Sequence, residues 1–116
     1  MKCFNLIKLL FLFLLLTIGA GVILAGCGNV SEVPVAKENQ VLINGYKFLP
    51  QDISVEAGTT VTWVNEDNVV HTVEGSGMDS GNMKKGDIFS FTFDKVGVYE
   101  YICGPHPYMT GSVIVE

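Results

Sequence analysis

Arginine is absent from the 116 residues, histidine appears twice, and the three cysteines are widely scattered. Each scarcity removes a class of explanation. Two of the seven cationic residues, Lys2 and Lys8, stand at the extreme N-terminus, and from residue 27 onward five lysines face 12 acidic side chains, a balance of −7. So acidic a chain is ill suited to nucleic acid or anionic surfaces, and its acids either suit a partner with a basic docking face or simply keep the domain soluble. Cys3 lies in an apolar leader, Cys27 at its end and Cys103 near the C-terminus, so no pair remains for a structural disulfide even in an oxidising compartment. With no histidine to spare and no evident acid/base pair beside the C-terminal loop, proton-transfer catalysis has little to work with, and the chain reads as a non-enzyme.

Length and composition bound the chain to one small domain preceded by a targeting piece. Lys2 and Lys8 form a positive n-region, and Leu9 to Gly26 is apolar or small throughout, the pattern of a secretory signal. Its roughly 18 residues also reach the lower limit for a bilayer-spanning helix, which leaves a retained anchor as the alternative. Leu24-Ala25-Gly26-Cys27 resembles the lipobox of a bacterial-type or archaeal lipoprotein, which implies a signal peptide over 1–26 and a lipid on Cys27. Either reading exports the domain and holds it at the outer face of the cytoplasmic membrane. Residues 27–39 then comprise the lipidated cysteine and a polar, aperiodic linker with a reach on the order of 20 Å, ahead of a folded domain at 40–116.

The chemistry concentrates in Cys103-Gly104-Pro105-His106-Pro107-Tyr108-Met109. A thiolate, an imidazole and a thioether recur at i, i+3 and i+6, a soft-to-borderline ligand set that suits copper better than any oxygen-seeking cation. Pro105 and Pro107 remove two amide donors and push Gly104 and His106 out of the α region, so the segment is a stiff loop and not a helix. A fourth ligand has to come from elsewhere, and His71 is the other histidine. Taken singly, Cys103 is a small buried hydrophobe, Met109 core filler and His106 a surface residue; their joint spacing favours a metal site.

Beyond residue 40 the apolar positions alternate with period two. Ile53 and Val55 flank Ser54, Val61 and Trp63 interleave with Thr60 and Thr62, and Phe89, Phe91 and Phe93 with Ser90 and Thr92. Breaks at Asn44-Gly45, Ala57-Gly58 and Val96-Gly97 divide the run into about seven antiparallel strands, expected near 40–48, 52–56, 59–65, 69–74, 87–93, 97–103 and 111–115. Strands with one apolar face need a second sheet, so the fold class is all-β, a Greek-key β-sandwich of seven to eight strands. Tyr99 is either the hydroxyl that pins a crossover corner or a plain cross-strand aromatic. Residues 75–86, rich in glycine, form the longest irregular piece, in which Met78 and Met83 are either a second copper position or axial ligand, or packing over the sandwich end.

These residues resemble the small blue copper proteins of the cupredoxin family. The likeness rests on Cys103-x-x-His106-x-x-Met109 with His71 upstream, on Val61-Thr62-Trp63-Val64-Asn65, on Met83-Lys84-Lys85 and on Gly97-x-Tyr99-x-Tyr101-x-Cys103. It runs over nearly all of residues 40 to 116, and the short Cys-His-Met spacing is similar to the amicyanin branch more than to the plastocyanin one. The resemblance implies one type 1 Cu(I)/Cu(II) ion on His71, Cys103, His106 and Met109. It also implies an electron port at the edge of His106, rimmed by Pro105, Pro107 and Tyr108. One departure stands out. Thr72 occupies a place where many members carry an asparagine that ties the histidine loop to the cysteine loop, and a single hydroxyl is expected to supply only part of that bonding.

Two imidazoles, a thiolate and a weak axial thioether accommodate both copper oxidation states, and a full set of ligands leaves no position for a reactant. The expected function is a membrane-tethered type 1 (blue) copper electron carrier, a monomer that meets a redox protein donor and acceptor transiently. The alternative is an extracytoplasmic copper-binding or delivery module. A third reading leaves Cys103, His71 and His106 incidental to an adhesion or substrate-binding sandwich.

Overall fold

The computed structural model describes residues 34–116. The expected signal peptide, the lipobox and Cys27 lie outside the described residues. Among the described residues, no helix is long and apolar enough to cross a membrane.

Nine strands form among these residues: β1 (Gln40–Ile43), β2 (Phe48–Leu49), β3 (Asp52–Val55), β4 (Thr59–Asn65), β5 (Glu74–Gly75), β6 (Met78–Asp79), β7 (Ile88–Phe93), β8 (Gly97–Ile102) and β9 (Thr110–Val115). They assemble into one sheet ordered β2-β1-β4-β7 and another ordered β3-β9-β8-β5-β6. The alternation read from the sequence is the alternation of burial. In β4 the side chains of Val61, Trp63 and Asn65 turn inward while Thr60 is exposed. In β9 the side chains of Val113 and Val115 do the same.

The core is closed by aromatic contacts between the sheets. Trp63 of β4 meets Tyr101 of β8 edge-on at 5.4 Å between ring centroids, Phe48 of β2 meets the same tyrosine at 4.8 Å, and Phe93 of β7 meets Tyr99 of β8 at 4.9 Å. Edge-to-face pairs of this kind add to the stabilisation from buried area alone. Gly111 lies opposite Tyr101 in the β8–β9 ladder, and a Cβ there would stand 2.5 Å from the tyrosine oxygen, so only glycine lets the ring lie against the neighbouring strand. The Tyr99 hydroxyl donates to the Lys95 carbonyl at 2.8 Å, which resolves that residue as the pin of a corner, four residues upstream along the chain.

Four expectations are corrected. Pairing is not wholly antiparallel: β1–β4 and β3–β9 run parallel, because after the β1–β2 hairpin the chain crosses to the second sheet as β3 before returning as β4. The strand expected over 40–48 is a hairpin, β1 and β2 joined by a turn in which Asn44 and Lys47 exchange backbone hydrogen bonds at 3.0 and 3.2 Å. The strand expected over 69–74 is reduced to a single bridge between His71 and Met83, with β5 beginning only at Glu74. The irregular stretch 75–86 in turn contains β6, which folds back on β5. Met78 and Met83 are both buried in the hydrophobic core, as the packing reading of these two residues has it.

Candidate metal centre

His71 and Cys103 reach the same point by different routes. Cys103 follows the end of β8 and is fully buried. From it the chain makes two successive tight turns: the His106 amide donates to the Cys103 carbonyl at 3.2 Å, and the Met109 amide to the His106 carbonyl at 2.9 Å. The Cys103 amide closes the loop by donating to the Met109 carbonyl at 3.1 Å. Pro107 occupies the second position of the latter turn, where its fixed φ is favoured. The two turns bring Cys103 Sγ and His106 Nδ1 to 3.5 Å, with Met109 buried and Tyr108 71% exposed at the tip.

The loop bearing His71 is set by Asn65 at the end of β4. Its buried amide donates to the carbonyls of Val69 and Met83 at 2.9 and 2.8 Å, and its side-chain oxygen accepts from the Asp67 amide at 2.9 Å. This side-chain capture of Val69 is why 69–73 does not enter a ladder despite its β-branched residues. His71 exchanges backbone hydrogen bonds with Met83 and is fully buried.

Asp67 completes the orientation of His71. Its Oδ2 lies 2.8 Å from His71 Nε2. Partial burial works to raise this carboxyl, but the N–H groups of Tyr46 and Gly45 and the His71 ring outweigh it and hold it below its ordinary value. An ionised carboxylate only accepts, so Nε2 carries the hydrogen, and in the neutral ring Nδ1 is then the nitrogen whose lone pair can meet a metal.

The three donor atoms form a nearly equilateral triangle. Cys103 Sγ is 3.6 Å from His71 Nδ1 and 3.5 Å from His106 Nδ1, and the two nitrogens are 3.2 Å apart. A point equidistant from all three lies about 2.0 Å from each, the length of a metal–imidazole bond and slightly short of a metal–thiolate one. Two imidazoles and a thiolate are also the donor set of a trigonal copper site with a weak axial sulfur. By spacing and by chemistry, then, the residues fit copper, and His71, Cys103 and His106 are positioned as a type 1 copper site.

Thr72 couples the two loops through one side-chain bond and one backbone bond. Its hydroxyl accepts from the Gly104 amide at 2.7 Å, and its own amide points at Cys103 Sγ at 3.4 Å. Sequence reasoning assigned no role to Tyr46, Asn65 or Asp67. Asn65 stood only as the last residue of an expected strand and of a stretch that carries the family likeness, and nothing local marked the other two.

Residues 35–116 match the family described as copper binding proteins, plastocyanin/azurin family. The chain belongs to that family. It is 35% identical over 94 residues to amicyanin-alpha of Methylorubrum extorquens, spanning 75% of this chain and 78% of that protein. It is 37% identical over 99 residues to amicyanin of Paracoccus versutus, spanning 74% and 75%. Among solved structures, a mutant of amicyanin in its Cu(I) form superimposes with a TM-score of 0.65 at 36% identity, covering 71% of this chain and 86% of that one. A purple cupredoxin from Nitrosopumilus maritimus superimposes with a TM-score of 0.63 at 30% identity, covering 66% and 98%.

Proposed function

We propose that this chain is a one-electron carrier tethered outside the cytoplasmic membrane, holding a single type 1 copper on His71, Cys103 and His106 with Met109 as the weak axial ligand. The observation that carries the reading is the donor triangle itself, already at metal-bonding size and braced from several sides. Bound copper supplies a Cu(II)/Cu(I) couple. The protein's part is to keep the donors still. The self-bonded loop 103–109, the Thr72–Gly104 tie and the Asp67–His71 bond restrain them from three directions, so neither oxidation state requires the side chains to move. Burial of His71, Cys103 and Met109 keeps water from the ligands, and the half-buried His106 lies nearest the surface.

Electrons pass at the His106 edge. Exposed Pro105, Pro107 and Tyr108 surround it, a small apolar rim suited to brief docking. The acidic surface steers basic partners toward it. A lipid on Cys27 and a linker over 27–39 keep the carrier at the membrane while leaving the domain free to reach a donor and an acceptor. The reading is tested by adding one equivalent of Cu(II) and recording the visible spectrum. An intense thiolate band near about 600 nm that disappears in Cys103→Ser supports it; colourless Cu(II) binding would point instead to a delivery module, and no binding to an incidental cluster.

A further inference from the structure

The turn between β1 and β2 holds a bulky residue in a conformation that disfavours it. Gly45 and Tyr46 have φ of 61° and 59°, a left-handed geometry that glycine adopts freely and tyrosine does not. Such strain persists where surrounding groups impose it, and it clusters at functional sites. Here the imposing group is Asp67. Its Oδ1 accepts from the Gly45 amide at 2.8 Å, and its Oδ2 accepts from the Tyr46 amide at 3.0 Å and from His71 Nε2 at 2.8 Å.

The ring placed by this turn touches both imidazoles. Tyr46 stands nearly perpendicular to His71 and to His106, with centroids 5.4 and 5.0 Å away, and the two histidine rings are 4.9 Å from each other. Three rings therefore close a triangle of mutual contacts. The loop 103–109 fixes the backbone of His106 through its own hydrogen bonds, but those bonds do not restrain rotation of the ring. Tyr108 is a poor restraint, being 6.1 Å away and mostly exposed. Tyr46 is nearer, and 42% of its surface is exposed, so its inner face is what meets the histidines.

We infer that Tyr46 is a positioning residue: it braces the half-buried His106 ring against His71, so that the donor atoms keep their spacing with or without metal. This rests on the reading of His71 and His106 as copper ligands. One carboxylate, Asp67, serves both ends of the arrangement, orienting His71 from behind and holding the strained turn that brings Tyr46 over the pair.

The test compares the full chain in detergent micelles as wild type, Tyr46→Phe, Tyr46→Ala and Tyr46→Gly. Two readouts are taken: the rate at which bound Cu(I) passes to excess chelator, and the NMR signals of the His106 ring in the metal-free chain. Loss of two edge-to-face contacts is expected to speed release about tenfold in the alanine and glycine variants. The His106 ring signals should broaden in both, while Tyr46→Phe matches wild type. Tyr46→Gly also removes the positive-φ strain, so its apo thermal midpoint shows whether faster release comes from the lost ring or from a weakened fold. Wild-type release and sharp His106 signals in Tyr46→Gly would overturn the inference, as would Tyr46→Phe behaving like alanine. A wild-type chain that takes up no copper would defeat the metal reading instead, and the ring signals of the apo chain would still decide the role of Tyr46.

Discussion

Thr72 and Gly104, 32 residues apart in sequence, are joined by a 2.7 Å hydrogen bond from the glycine amide to the threonine hydroxyl. The same threonine directs its amide at Cys103 Sγ. One residue therefore grips the cysteine loop twice, once through its side chain and once through its backbone. Replacing it with valine keeps the shape and the backbone contact but leaves the Gly104 amide unpaired. We expect Thr72→Val to lower the stability of the apo chain by about 1–2 kcal/mol in denaturant titration, and Thr72→Ser to cost much less.

Tyr101 sets an alkaline limit. Burial pushes its hydroxyl up to about 12, the neighbouring Trp63 indole pulling the other way without completing a hydrogen bond and Asp52 adding a small push upward. The unfolded chain, with an ordinary tyrosine near about 10, gives up this proton first. Stability from the neutral buried phenol is therefore complete below pH 10 and is lost as pH rises toward 12. Over that window the loss is on the order of 2–3 kcal/mol. Unfolding free energies measured from pH 9 to 12 should fall more steeply in wild type than in Tyr101→Phe.

Met109 is buried at the end of the second turn of the ligand loop, where its thioether serves as the proposed axial ligand. A better axial donor favours Cu(II) and a missing one favours Cu(I), so Met109→Gln should lower the reduction potential and Met109→Leu should raise it. A shift of at least about 59 mV in each direction corresponds to a tenfold change in relative affinity for the two oxidation states. Voltammetry of the copper-loaded variants measures it, and an unmoved potential would remove Met109 from the site.

Most of the sandwich and three donors of the centre were legible in the sequence, for physical reasons that particular residues make plain. Period-two burial in β4 and β7 follows directly from the pleat, so Trp63 and Phe93 announce their inward faces. Cys103 and His106 announce themselves as donors because two prolines force a tight local path, and His71 because it is the one other histidine. The two parallel pairings were not legible, since register between distant strands leaves no local trace. Nor was the loss of a strand at 69–74, where Asn65 captures the Val69 carbonyl and overrides β-branched propensity. Asp67 and Tyr46 were invisible for the same reason: their contact depends on a turn at 44–47 meeting a loop 21 residues later, and on a backbone conformation that tyrosine does not advertise.

The central claim is that the protein, not the metal, fixes the donor triangle, so copper stays put through a change of charge. Repeated reduction and reoxidation of the loaded chain, in the presence of a competing chelator, tests this most directly. The account predicts that one copper per chain is retained and that the same thiolate band returns after every cycle. Copper lost to the chelator on reduction, with the band failing to return, would contradict it.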